Sequence, residues 1–475
     1  MQADKNHWAS RLALAMCAAL AGCAGIGSPP LTPVVTIPRG WNDPAPPQAV
    51  AVVSDWWKYF ASAELSRLVD LALASAPDLV IAGERVRQAE AQARVAGASL
   101  FPGLNLSAGS SRQETRAGAA GGAGRRDSSA ATFAASYEID FWGGNAAAAR
   151  AAENSLLASR FDRATARLTL LAGVANGYFQ LLTVRARMAF ARENLAIAER
   201  VLAVVDVRYR NGAASALDLS RQRTAVLSQK AALPPLELLA HQTLSALAVL
   251  VGAPPQVFDA GAMAVNDIAV PVVTAGLPAR VLTRRPDIAS AEAQLAAANA
   301  NLAAARAALL PSIQLTGAAG LSSVELFSLL NAPLRTLSAG LALSQPIFDA
   351  GRLRGQVEFA AARERELVEG YRKAILAALS DVEVALSSAR RTAEQEQLLD
   401  QVRVQAQRAL RLAELRYREG ADDLLSVLDA QRTLFQAQDQ LAQLRLSRLQ
   451  AAVGLFKALG GGWEPQAEVS SRAGY

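Results

Sequence analysis

Acids and arginines concentrate in two short stretches of the sequence. RYREGADDLLSVLDAQRTL, beginning at Arg416, places Asp422, Asp423 and Asp429 just after Arg416 and Arg418; its echo RYRNGAASALDLSRQRTAV, beginning at Arg208, places Asp218 after Arg208 and Arg210. Clustered carboxylates are the raw material of a hard-cation site, but such a site needs about six or more oxygen ligands, and nothing nearby supplies the rest of the shell. Acid–base or nucleophilic chemistry fares no better. His241 is the only histidine beyond the N-terminal stretch, in the helix-like LLAHQTLSAL, and no Gly-rich phosphate loop or His-Glu metal motif is present. No enzyme is expected, and no metal or organic cofactor.

What remains for these residues is structural and electrostatic. Gly212 and Gly420 each follow an Arg-containing last turn, which is a helix C-cap signal, and the segments after them restart a helix. Each RYR motif therefore marks a helix-turn-helix tip. Leu425 and Asp429 are four apart and Asp422 lies three further back, so all three are expected on one helical face. Around a symmetry axis, an axis-facing aspartate would become a ring of carboxylates, which favours cations and narrows a closed pore. The plainer readings are a solvated acid near a helix N-terminus for Asp429, and favourable charges near a helix C-terminus for the arginines.

The elements that hold these tips are written twice. APDLVIAGERVRQAEAQARVAGASLFPGLNLSAG from Ala76 matches RPDIASAEAQLAAANANLAAARAALLPSIQLTGAAG from Arg285, with Pro77 over Pro286, Asp78 over Asp287 and Pro102 over Pro311. The period is far longer than a solenoid repeat, so half a molecule is duplicated. Each half opens with Pro-Asp at a helix start and a moderate Ala/Gln/Glu-rich helix that stops at a proline. Later come long proline-free arms, roughly 145–209 and 352–417, of about 65 residues, on the order of 95 Å as helix. Heptad-like spacing at Leu398, Val402, Gln405, Ala409 and Leu412 suggests that the arms pack laterally.

Between helix and arm, each half alternates apolar with small or polar residues. Leu104, Leu106, Ala108 and then Phe133, Ala135, Tyr137, Ile139, Phe141 do so in the first half; Ile313, Leu315, Gly317 and then Leu337, Ala339, Leu341, Leu343 do so in the second. Period two over about ten residues with turns between is the weak signature of membrane β-strands. Such a sheet must close, and four strands are too few, so the chain has to assemble into eight strands as a dimer or twelve as a trimer. Eight leave an interior filled by side chains; a conduit favours twelve.

The N-terminus carries Lys5 and Arg11, the apolar run from Leu12 to Leu20, and Leu20-Ala21-Gly22-Cys23. This reads as a secretory signal ending in a lipobox-like stretch, with Cys23 as the lipidated first residue of the mature chain. Cys17 would be discarded, so no disulfide framework is expected. The proline-rich stretch after Cys23 reads as an extended strap. The formal net charge of +6 is spread over helices among acids, which is not a nucleic-acid patch.

Together the lipobox, the tandem Pro-Asp helices, YEIDFWGG at Tyr137, LPPLELLAHQTLSALAVLVGAPP at Leu233, SQPIFDAGRLRG at Ser344 and the second RYR stretch resemble the TolC-like outer-membrane factors of tripartite efflux pumps, within their lipidated OprM/NodT branch. The resemblance covers Cys23 to about Gly460. It implies a mainly α fold with membrane β-strands: a homotrimer whose twelve-stranded β-barrel, four strands per chain, continues into a long periplasmic α-helical barrel. It implies an outer-membrane exit duct, lipid-anchored, reaching into the periplasm, docked on a periplasmic membrane-fusion adaptor and an inner-membrane pump of the resistance-nodulation-division type. In that family the positions matching Leu425 and Asp429 form the closed constriction, and Asp218 matches another gate-region acid; Asp422 is read with them. Tyr209 and Tyr417, with Arg208, Arg416 and Arg418, are expected to tie the coils together at the tip, and Gly212 and Gly420 to meet the adaptor. One gate aspartate of the TolC subgroup falls here on Ser426, so its gating details do not transfer.

The expected order of parts is a signal over 1–22, a strap over 23–53, a first repeat over 54–254 with a β-hairpin near 103–142 and a tip near 208–220, and an equatorial linker over 255–284. A second repeat over 285–460, with a hairpin near 312–348 and a tip near 416–430, and a tail over 461–475 complete it. The rival is a lipid-anchored periplasmic coiled-coil scaffold or adaptor. Adaptors have one long hairpin between β-rich domains, whereas two complete helical halves are written here.

Overall fold

The computed structural model describes residues 31, 33–43, 50–115, 124–261, 263–324, 326, 328–331 and 333–464. The expected signal, Cys23 and the tail from residue 465 lie outside them. A 3-10 turn at Trp56–Phe60 precedes α1 (Ala63–Ser75). The first half then runs α2 (Pro77–Ala98), β1 (Gly103–Thr115), β2 (Gly124–Ile139), α3 (Gly144–Arg210) and α4 (Ala216–Leu250). Short α5 (Pro278–Leu282) leads into the second half: α6 (Pro286–Ala307), β3 (Ser312–Ser323), α7 (Ser328–Asn331), β4 (Leu334–Ser344), α8 (Arg352–Arg418) and α9 (Leu424–Ala458).

The duplication is carried down to element length. Helices α2 and α6 have 22 residues each, α3 and α8 have 67, and α4 and α9 have 35. Sixty-seven residues of helix span about 100 Å. Both arms start under an aspartate. Asp140 accepts from the N–H groups of Asn145 at 3.0 Å and Ala146 at 2.7 Å, and Asp349 from Gly351 at 3.1 Å and Leu353 at 3.0 Å. These bonds satisfy amides that a helix start leaves unpaired. Helix α4 runs through Pro234 and Pro235. Each proline lacks an N–H and so removes one intrahelical hydrogen bond, a loss that the proline-free α9 does not share.

The four strands form one antiparallel sheet in the order β1-β2-β3-β4. Its register puts Leu104, Ala135, Gly317 and Ala339 in one row and Leu106, Phe133, Ala319 and Leu337 in the next row on the same face. Toward the helix-connected ends that face continues through Tyr137, Leu315 and Leu341 to Ile139, Ile313 and Leu343. The opposite face is made of Asn105, Ser107, Ser136, Thr132, Thr316, Ser338 and their small neighbours. One apolar and one polar face is the pattern of a sheet between lipid and water. Strands β1 and β4 are the edges, and β4 is exposed at every position.

Contacts divide the chain into two compact units, one centred on residues 86–159 and 291–371, the other on 35–85, 160–290 and 372–475. In the first, Asn299 donates to buried Glu364 at 2.8 Å, joining α6 to α8. The second holds the main core, where Trp56 stacks on Phe456 at 5.2 Å and Phe60 packs on Phe179 at 5.0 Å. Here Glu396 on α8 bridges Arg445 at 3.1 Å and Arg448 on α9, and Arg445 also donates to the Ile268 carbonyl at 2.6 Å. The cluster fastens the segment between α4 and α5 to both second-half helices. Along α8, by contrast, Leu398, Val402 and Leu412 are 62%, 46% and 52% exposed. Nothing among the described residues covers this part of the heptad-like stripe.

Glu396→Gln leaves two largely buried arginines without their counter-charge and is expected to destabilise this unit by about 3 kcal/mol. Urea unfolding followed by the tryptophan fluorescence of the Trp56–Phe456 core checks it; a midpoint equal to that of the parent would exclude the clamp.

Candidate functional site

Both tips are built from the same backbone device. Gly212 and Gly420 adopt φ of +71° and +73°, the left-handed region that glycine enters without a Cβ clash. The N–H of Gly212 bonds the Tyr209 carbonyl at 3.0 Å and that of Ala213 the Arg208 carbonyl at 2.8 Å; Gly420 bonds Tyr417 at 3.1 Å and Ala421 bonds Arg416 at 2.8 Å. This pairing of short and long return bonds is the Schellman motif, and it satisfies the last carbonyls of α3 and α8.

The descending helices are capped with exchanged chemistry. Ser215 accepts from the Asp218 N–H at 3.1 Å while Asp218 accepts from the Ser215 N–H at 3.1 Å, a full capping box. In the second tip Asp423 is the cap and accepts from the Ser426 N–H at 3.1 Å. Serine and aspartate have traded places. Asp218 is therefore the structural counterpart of Ser426, and its hydrogen bonds from the Ser215 side chain and backbone hold its carboxyl below the usual carboxylate range.

Asp422 does not share a helical face with Leu425 and Asp429. It precedes the cap of α9, where its carboxylate accepts from the Asp423 N–H at 2.9 Å and the Ser426 hydroxyl at 2.9 Å and faces Arg416 at 3.3 Å. The helix begins two residues later than its sequence spacing suggested, because Asp423 caps better than it propagates. Those bonds, led by the Asp423 amide, hold the Asp422 carboxyl low. Leu425 and Asp429 do share an exposed face, with Leu425 57% exposed and Asp429 paired to Arg432 at 2.6 Å.

Arg208 joins the two tips. Its guanidinium lies 4.6 Å from the centroid of the Tyr417 ring and donates to the Tyr417 carbonyl at 2.5 Å. Tyr417 is 6% exposed in a cluster with Val205, Leu219, Leu410, Leu424 and Val427, and burial pushes its phenol up. The equivalent Tyr209 is 42% exposed, and Arg418 ends α8 in solvent. Arg416, the counterpart of Arg208, turns instead to Asp422.

Two further features escaped sequence reasoning. Leu217 takes the same helical position as Leu425 and is likewise 57% exposed, a match visible only when the tips are aligned on Gly212 and Gly420 rather than on Gln-Arg-Thr. Gln222 and Gln431, from those Gln-Arg-Thr runs, are buried, and Gln222 donates to the Ala198 carbonyl at 2.8 Å. Among the described residues no group of three or more His, Cys, Asp or Glu is placed to hold a metal, and no helix is long and apolar enough to cross a membrane.

A family model, outer membrane efflux protein, matches residues 68–253 and 277–461. The chain belongs to the outer membrane efflux protein family. The pyoverdine export outer membrane protein OpmQ of Pseudomonas aeruginosa is 44% identical over 461 residues, covering 95% of this chain and 97% of that one. The toluene efflux pump outer membrane protein TtgC of Pseudomonas putida is 35% identical over 474 residues, 96% of each chain. Among solved structures, the outer-membrane channel OprN superposes with a TM-score of 0.85 at 25% identity, over 93% of this chain and 100% of that one. The protein is thus an outer-membrane exit duct for efflux, a channel that extends into the periplasm. Its sheet is the membrane part, and the apolar face is the lipid face.

The depressed pKa of Asp422 fixes the sign of a pH effect. Its contribution to tip order is complete above the unfolded carboxylate value near 3.9 and is lost as pH falls through the lower folded value. Amide exchange at Asp423, whose N–H the Asp422 carboxylate accepts, corrected for intrinsic rates, is expected to lose protection below about pH 4, and Asp422→Asn to show the same low protection already at neutral pH. Equal protection in the variant at neutral pH would remove Asp422 from the cap.

Proposed function

We propose that the chain works as a homotrimer whose sheets close into a twelve-stranded barrel, with the paired tips forming an iris-like gate. The bare edges of β1 and β4 carry this reading, since backbone groups left unpaired in lipid cost several kcal/mol each and only closure removes them. The uncovered apolar stripe of α8 supports it from the helical side. Cys23 is the lipid attachment point, and the Gly212 and Gly420 turns meet a periplasmic adaptor that joins the duct to an inner-membrane pump. Leu425 and Asp429, repeated three times, narrow the closed passage and favour cations. The Arg208–Tyr417 contact, which links the first hairpin to the second within one chain, keeps the iris shut.

The cargo is proposed to be pyoverdine or a molecule of its kind. The support is the identity of 44% to a pyoverdine exporter against 35% to a toluene pump component, over nearly the whole chain in both cases. In a host lacking its own pyoverdine exit duct, expression is expected to restore secreted pyoverdine without raising toluene tolerance. The reverse pattern would reassign the cargo.

Planar-bilayer recording of the purified trimer tests the gate. The parent is expected to give a small, mostly closed, cation-preferring conductance. Arg208→Ala should raise the open fraction, and Asp429→Ala should weaken the cation preference. If neither variant, folded and trimeric, differs from the parent, the tips are not the constriction.

A further inference from the structure

The polar face of the sheet carries an unused charge. Alternation along β2 puts Arg125 and Asp127 on the lipid-side face with Arg112 of β1, and the contacts agree: Arg112 grips Asp127 at 2.8 and 3.0 Å, and Arg125 reaches it at 3.5 Å. That cluster lies just beyond the row where Ser110 meets Ser129 at 2.9 Å, which ends the apolar band on the side of the hairpin turns. Arg126 stands between Arg125 and Asp127 in sequence and so points to the opposite face, where its cross-strand neighbour is Gln113. On that face of the four strands the only other charged residue is Glu138, at the helix-connected end, about 40 Å away along the strand. Between them stand Ser128, Ala130, Thr132, Ala134 and Ser136.

We propose that Arg126 forms a ring of cations at the outward mouth of the lumen and favours anionic solutes at the exit. The inference rests on the closed trimer proposed above, because three copies of the polar face must turn inward to make the ring. The hairpin-turn end of the sheet is the outward one, since the other end leads into the periplasmic helices. On the lipid-side face Asp127 and Glu114 stand among Arg112, Arg125 and Arg335, so each cation there shares its face with acids, whereas the inward arginine has no acid beside it on its face among the described residues. A ring charge about 10 Å from the axis acts at roughly one Debye length in 0.1 M salt, so its effect on a passing ion is modest but present.

Thr132 lies on the same face, about 20 Å further in along the strand, so a reagent arriving from outside passes Arg126 before reaching it. Thr132→Cys is to be expressed in intact cells and exposed briefly to methanethiosulfonates bearing a sulfonate or a trimethylammonium, with the parent chain as blank. The ratio of anionic to cationic labelling rates is expected to fall about twofold on adding Arg126→Ala and about fourfold on adding Arg126→Glu at low salt. The change should shrink in 1 M salt. Ala131→Cys, on the lipid face, should react with neither reagent.

An unchanged ratio in both Arg126 variants overturns the ring. So does a failure of Thr132→Cys to react in trimers shown to be in the outer membrane, because the face would not line a lumen. Absence of trimers from the outer membrane would instead overturn the assembly on which the inference rests, so the two failures are told apart by the state of the protein.

Discussion

A backbone amide or carbonyl cannot go unpaired in lipid, and the architecture follows from that constraint. The rows of β1 through β4 satisfy one another, but the outer edges of β1 and β4 have no partner among the described residues. A soluble protein would blunt such edges with charges, bulges or covering loops. Here both edges stay open, and β4 is exposed on both faces. Membrane insertion and assembly are therefore a single requirement. The division into one apolar and one polar face is the same requirement seen across the sheet: closure puts lipid on one side and an aqueous lumen on the other.

Duplication supplied two equal hairpins, and the tips show how equal sequences come to do unequal things. Both end in a Schellman turn at a left-handed glycine, so the backbone path is shared. The side chains diverge. Arg208 crosses to the second tip and lies on the face of Tyr417, an arrangement in which the guanidinium gains from the ring and from a carbonyl at once. Its counterpart Arg416 has Asp422 within reach and turns there. The buried tyrosine and the exposed one follow from that choice. A closed symmetric ring needs contacts within a protomer that differ from those between protomers, and an asymmetric pair of tips provides the difference.

Much of this was legible from local signals. The duplication, the Pro-Asp helix starts, the alternating strands and the glycine-punctuated tips depend on residues near one another in sequence, and each stands where its pattern put it save Phe141, which falls in the turn after β2 ends at Ile139. The misreading of Asp422 came from extending helical spacing through a residue before the cap: two aspartates in a row give no sequence cue as to which one caps. Pro234 and Pro235 conceal a continuous helix because a proline pair reads locally as a break, yet α4 runs through both positions. The Glu396 clamp joins residues 49 and 52 positions apart and a carbonyl 177 from Arg445, separations at which neither periodicity nor spacing carries information. The equivalence of Leu217 and Leu425 was obscured because the Gln-Arg-Thr runs sit one residue out of step with the caps.

The composition of the polar face bears on why one fold serves relatives named for cargoes as different as pyoverdine and toluene. A conduit passes a solute quickly only when its wall holds the solute weakly; every strong site along the way is a place to stall. Serine, threonine, alanine and glycine offer hydrogen bonds no better than those of water and no apolar pocket to fill, so a solute gains little by lingering. A lining of this kind cannot discriminate. Discrimination then has to come from charges at places the solute must pass, or from the pump that loads the duct, and the sequence between the ends of each strand is free to stay small and polar.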